Sequence, residues 1–118
     1  MSMSRKTGFW YFCMALLAPL PALAEHGGPP VPGQPLIIDV RTTDEYQQGH
    51  VREAVNIPFD EIAMRIAALA PDHAAHIVLY CRSGRRASIA EQTLRQLGYQ
   101  QIKNQGGLSD MLLNGYSE

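Results

Sequence analysis

The chain has 118 residues, with ten basic and eleven acidic side chains and a formal charge of −1. That length suits one compact domain, and the balance of charge without a basic face argues against a nucleic-acid partner. Neither an internal repeat nor a heptad pattern is visible.

The first segment follows a processing pattern. Arg5 and Lys6 precede an apolar stretch from Phe9 to about Leu20, Pro19 and Pro21 break it, and Ala22-Leu23-Ala24 follows. We expect a secretory signal peptide over residues 1–24, cut after Ala24. The apolar stretch is shorter than the roughly 20 residues a membrane span needs, so no membrane association is expected after cleavage. Cys13 lies inside that stretch, behind the bulky Trp10, Tyr11 and Phe12, and leaves with it. Loss of Arg5 and Lys6 leaves eight basic residues against eleven acidic ones, a formal −3, and a single cysteine, Cys81. In the oxidising compartment a signal implies, a lone thiol can form no internal disulfide, so its presence asks for a chemical reason.

Residues 25–35 carry "HGGPPVPGQP", too rich in glycine and proline for a helix or central strand, and read as an extended leader. The folded domain is expected over 36–118. "LIIDV" (36–40) predicts a strand, with Thr42 and Thr43 as caps for a brief helix over 44–48 that Gly49 closes. "AVNIP" (54–58) predicts a second strand. Asp60 then opens a helix with Ile62, Ile66 and Leu69 on one face, ended by Pro71. "HIVLY" (76–80) is a continuous apolar run, as expected of a parallel strand covered on both faces. The helix after it should turn Ile89, Leu94 and Leu97 inward and stop at Gly98. "YQQIKN" (99–104) predicts a fourth strand, and "QGGLSDM" a tight turn into a last short helix. Strands alternating with helices at these intervals make an α/β fold, a mainly parallel sheet flanked by helices.

In such sheets ligands bind beyond the carboxyl ends of the strands, where "YCRSGRR" (80–86) falls. Cys81 should stand on the floor of that crevice. Ser83 and Gly84 let the backbone curl and turn successive N–H groups toward one point, and the positive end of the following helix aims there too. With Arg82, Arg85 and Arg86 nearby, the thiol is expected to ionise below its ordinary pKa of about 8.5, making a nucleophile in an anion-binding cup. The plainer alternative is a small core cysteine beside a solvated basic face. Cysteine-dependent phosphatases and arsenate reductases place five residues between cysteine and arginine. Here four separate Cys81 from Arg86, and Ala87 holds the phosphatase position. A shorter loop makes a narrower cup, fitted to one extra sulfur rather than a phosphate, which favours persulfide chemistry.

With these motifs the sequence resembles the rhodanese-like sulfurtransferases, most closely the single-domain periplasmic members of the phage-shock type. The resemblance is carried by Asp39-Val40-Arg41, Glu45-Tyr46, Gly49-His50 and Asn56-Ile57-Pro58, by the six-residue loop Cys81 to Arg86, and by Gly106-Gly107-Leu108. Glu53 stands where many members have glycine, and Met111 where many have tryptophan. The resemblance implies a single rhodanese-like domain in the periplasm, with no metal or organic cofactor. It also implies a two-step reaction in which Cys81 takes the outer sulfur of thiosulfate and yields it to cyanide or a thiol acceptor. Arg82, Ser83, Gly84, Arg85 and Arg86 would bind the donor, with Arg86 the first choice for folding over the cup and Arg82 and Arg85 facing solvent.

Asp39 and Arg41 are candidates to support the loop; Asp39 either braces it by accepting its N–H groups or an arginine, or forms a helix cap or local ion pair. His50 reads as a structural hydrogen-bonder. His73 and His76, in a loop between Pro71 and a strand, do not read as metal ligands. A monomer is expected. Two other functions stay open: a module that binds thiosulfate or presents a persulfide without turnover, and a redox role, which lacks a second cysteine to resolve an oxidised thiol.

Overall fold

The computed structural model describes residues 33–118. The expected signal segment 1–24 and all but the end of the leader lie outside them. Four strands, β1 (Leu36–Asp39), β2 (Val55–Asn56), β3 (His76–Cys81) and β4 (Gln101–Gly107), pair in the order β2-β1-β3-β4, and every pairing is parallel. Four helices connect or follow them: α1 (Thr43–Gln48), α2 (Ile62–Leu69), α3 (Arg85–Gln96) and α4 (Leu108–Leu113).

The two central strands are apolar on both faces because each face is covered. Alternate residues point to opposite sides of a strand. Ile38 on β1 and Ile77, Leu79 and Cys81 on β3 join a core with Ile62, Ile66, Ala87, Ala90 and Leu94 from α2 and α3. Ile37 and Tyr80 join a smaller core with Val51, Ala54 and Met111, packed against Tyr46 and Leu108. α1 begins with a reciprocal cap: Glu45 N–H donates to Thr42 Oγ1 at 3.2 Å, and Thr42 N–H donates to Glu45 Oε1 at 3.0 Å. Just after α3 and its cap residue Leu97 comes Gly98, whose φ of 101° is a left-handed value that glycine adopts without strain.

Two expectations fail here. The buried face of α3 is Ala87, Ala90 and Leu94, while Ile89 and Leu97 are 38% and 41% exposed. Small alanines let α3 lie close on β3, and Ile89, five residues before Leu94, falls about 140° around the helix from it. The fourth strand also runs on to Gly107, so Gly106 and Gly107 lie inside β4 rather than in a turn after it. Tyr99 is not part of the strand; it is buried, and its hydroxyl donates to the Ala70 carbonyl at 2.6 Å.

Candidate active site

β3 ends at Cys81, and α3 begins four residues later. The chain covers that interval with Gly84 at φ 100°, a conformation an L side chain resists. The side chain of Cys81 belongs to the larger core, and the residue is only 1% exposed. Its sulfur accepts a hydrogen bond from the Gly84 N–H at 3.0 Å. Burial pushes the thiol pKa up, but the backbone N–H groups of Ala87, Ser83, Gly84 and Arg86 outweigh it, and the net shift is downward. A thiolate stabilised this way is a better-populated nucleophile than free cysteine.

The guanidinium groups sit outside this ring of amides. Arg82 is 77% exposed at its side chain, and Arg85 and Ser83 are exposed too. Arg86, expected to fold over the cup, closes its fork on Glu45, Nη1 to Oε1 at 2.8 Å and Nη2 to Oε2 at 3.1 Å, and its charge is also felt by Cys81. Arg82 Nη2 reaches the same carboxylate at 3.3 Å. A planar guanidinium meets a carboxylate best in this two-pronged way, and α1 presents Glu45 already oriented by its cap. Glu45, which the resemblance marks with Tyr46 but to which the sequence assigned no role in the site, is thus one of its residues; the Thr-x-x-Glu spacing at the start of α1 was a further signal.

Asp39 and Arg41 form a separate, sealed pair. Arg41 donates to Asp39 from its backbone N at 2.9 Å, from Nε at 2.9 and 3.0 Å and from Nη2 at 2.6 Å. Tyr80, next to Cys81, donates its hydroxyl to Asp39 Oδ2 at 2.9 Å and accepts the Val51 N–H at 3.0 Å. Asp39 thus accepts an arginine, and that arginine is its near neighbour Arg41. Arg41 also donates to the Gly49 carbonyl at 2.7 Å, which ties the end of α1 to the strand ends. His50 stacks on Tyr46 with ring centroids 3.5 Å apart, and its Nδ1 is 2.7 Å from the Tyr46 carbonyl oxygen. Among the described residues, no group of three histidine, cysteine or acidic side chains is placed to hold a metal.

The last wall is β4. Where Leu79 pairs with Asn104 and Cys81 with Gly107, the single residue Tyr80 of β3 lies opposite two of β4, Gln105 and Gly106, a bulge that brings the chain against the loop. A Cβ on Gly107 would stand 1.9 Å from the Arg82 carbonyl oxygen, so only glycine fits.

Comparison with known proteins places this arrangement. A family model described as the rhodanese-like domain matches residues 23–112. The chain belongs to the rhodanese-like family. The thiosulfate sulfurtransferase PspE of Escherichia coli is 42% identical over 76 residues, 64% of this chain and 73% of that protein. A sulfurtransferase of Allochromatium vinosum is 36% identical over 74 residues, 62% of this chain and 67% of its own. Among solved structures, a rhodanese with anions from E. coli superposes with a TM-score of 0.63 at 42% identity, covering 65% of this chain and 91% of that one.

Two positions where this rhodanese-like chain departs from the expected pattern have clear places. Met111 is fully buried in the smaller core with Tyr80 and Ile37, where a flexible thioether fills the space. Glu53 is exposed and outside the loop.

Proposed function

We propose that this protein is a sulfurtransferase that takes a sulfane sulfur from thiosulfate onto Cys81 and passes it to cyanide or a thiol. The observation that carries this reading is the ring of loop amides converging on the Cys81 sulfur and drawing its pKa down. The relative named thiosulfate sulfurtransferase lends it the donor.

In the first half-reaction the thiolate attacks the outer sulfur of thiosulfate. The S–S bond of the donor breaks, its electron pair leaves with sulfite, and Cys81 becomes a persulfide. In the second, cyanide attacks the outer sulfur, thiocyanate departs, and the pair returns to Cys81. A thiol acceptor would leave with the persulfide instead. The amides of Ser83, Gly84, Arg86 and Ala87 serve both halves, since Cys81 is the nucleophile in one and the leaving group in the other. Arg82 and Arg85, exposed at the rim, draw in the dianionic donor. Arg86 acts through its pairing with Glu45 and shapes the rim. Asp39 and Arg41 hold the strand ends beneath the loop. The reading extends to a processed periplasmic protein, supported by the pattern of residues 1–24.

The test is intact mass after incubation with thiosulfate, joined to steady-state transfer from thiosulfate to cyanide. One added sulfur on Cys81 and loss of transfer in Cys81→Ser are expected. Near-normal turnover by Cys81→Ser would sink the proposal, a phosphate adduct would favour a phosphatase, and no adduct would leave a binding module. The same spectrum of protein from the periplasm should begin at Glu25.

A further inference from the structure

Asn104, on β4, joins the two pieces of backbone that shape the cup. Its Nδ2 donates to the Gly84 carbonyl at 2.9 Å, and its Oδ1 accepts the Gly106 N–H at 2.9 Å. A carbonyl can only accept and an N–H can only donate, so these partners fix which way the carboxamide faces. The Gly106 N–H belongs to the β4 bulge, where φ is 93° and the ladder with β3 slips by one residue. Gly84 is the left-handed hinge at which the loop turns into α3.

The hinge separates two sets of donors. The N–H groups of Ser83 and Gly84 come before its rotation, and those of Arg86 and Ala87 come after it. All four act on one sulfur. Gly84 is the most pliant residue in the loop, because glycine rotates through left-handed and right-handed regions at little cost. Its carbonyl is held by the Ser88 N–H at 2.9 Å within α3 and by Asn104 from the sheet. The first bond moves with the helix. The second comes from a side chain on β4, and it ties the hinge to the strand that pairs with Cys81 itself.

We propose that Asn104 is a positioning residue for the sulfur chemistry of Cys81: its carboxamide clamps the Gly84 hinge to the β4 bulge and keeps the loop amides converged on the sulfur. This rests on the sulfurtransferase reading for its purpose, but its test does not need that activity.

The test is the rate of iodoacetamide alkylation of Cys81 against pH, followed on the peptide that carries Cys81 so that Cys13 does not contribute. In Asn104→Ala both bonds are lost. The apparent pKa should rise by roughly half to one pH unit, and alkylation below both pKa values should slow roughly two- to fivefold, the more basic thiolate being somewhat more nucleophilic. Asn104→Asp keeps the shape and the acceptor for Gly106 but cannot donate to Gly84, and it adds a negative charge nearby, so its shift should be upward and at least as large. Lys103→Ala, at an exposed neighbouring position on β4, should follow the wild-type profile. If either Asn104 variant melts earlier yet titrates like wild type, Asn104 only stabilises the fold and the inference is overturned. An unshifted variant profile defeats the inference alone, whereas a low wild-type pKa without sulfur transfer defeats the functional reading alone.

Discussion

Two arginine–carboxylate pairs stand near the carboxyl end of the sheet, and they do opposite things. Asp39 and Arg41 are buried, at 0% and 7% exposure, and their charges are saturated by short bonds and by the Tyr80 hydroxyl. The carbonyls of Asp39 and Arg41 accept further bonds from Asn56 Nδ2 at 3.0 and 3.1 Å. Glu45 and Arg86 pair at the rim, with side chains 17% and 20% exposed and Arg82 alongside. A pair sealed from water fixes a frame, because neither partner has a substitute if the other leaves. A pair at the rim meets solvent and salt, contributes less to stability, and is placed to tune the charge that an incoming anion meets.

The largest effect should come from breaking the sealed pair. Asp39→Ala leaves the Arg41 guanidinium buried without its counter-charge, a loss of about 3–5 kcal/mol. Against a total stability of about 5–15 kcal/mol for a domain, that brings the chain near unfolding. Urea unfolding of the variant should show it, and a midpoint close to wild type would mean that the pair does not hold the frame. Tyr80→Phe is milder. It takes a donor from Asp39 and an acceptor from the Val51 N–H, leaving Arg41 in place, and should cost about 1–2 kcal/mol in the same experiment. Burial, the larger influence, raises the Tyr80 pKa despite the Val51 N–H, so the hydroxyl remains a neutral donor through the neutral range.

The contrast between the pairs also marks what could be read from the chain. β3 was legible because the apolar run "HIVLY" (76–80) between turn signals has few other fates, and Cys81 with Gly84 announced the tight loop that follows it. The partner of Arg86 was not. Three arginines in five positions say that charge is wanted, but which one is free depends on Glu45, brought up by α1 from 41 positions away. Asn104 was invisible for a similar reason, since its role depends on a bulge that slips the register between β3 and β4. On α3, large aliphatic residues drew attention from the alanines that face the sheet, because close approach is a property of the neighbour as well as of the residue.

The smallest effect is at the rim, and acid separates it from the others. The Arg86 hydrogen bonds, opposed by partial burial and aided by Thr42, hold the Glu45 carboxyl down at about 2. A carboxyl depressed in the folded state stabilises the fold fully above its ordinary value near 4.5, and that contribution fades as pH falls from there toward 2. Glu45→Gln should therefore be less stable than wild type by about 1 kcal/mol or less at neutral pH, given the exposure of the pair. The gap should narrow steadily in acid and close near the folded-state value. A gap that stays constant from neutral pH into acid would show that packing of α1 against the loop, not charge, is what Glu45 supplies. The same variant removes a negative charge beside Arg86 and frees that guanidinium for the sulfur, so the apparent pKa of Cys81 should move down, opposite to the Asn104 variants. Rim charge and hinge geometry would then be two separate controls on one thiol, distinguished by the sign of the shift.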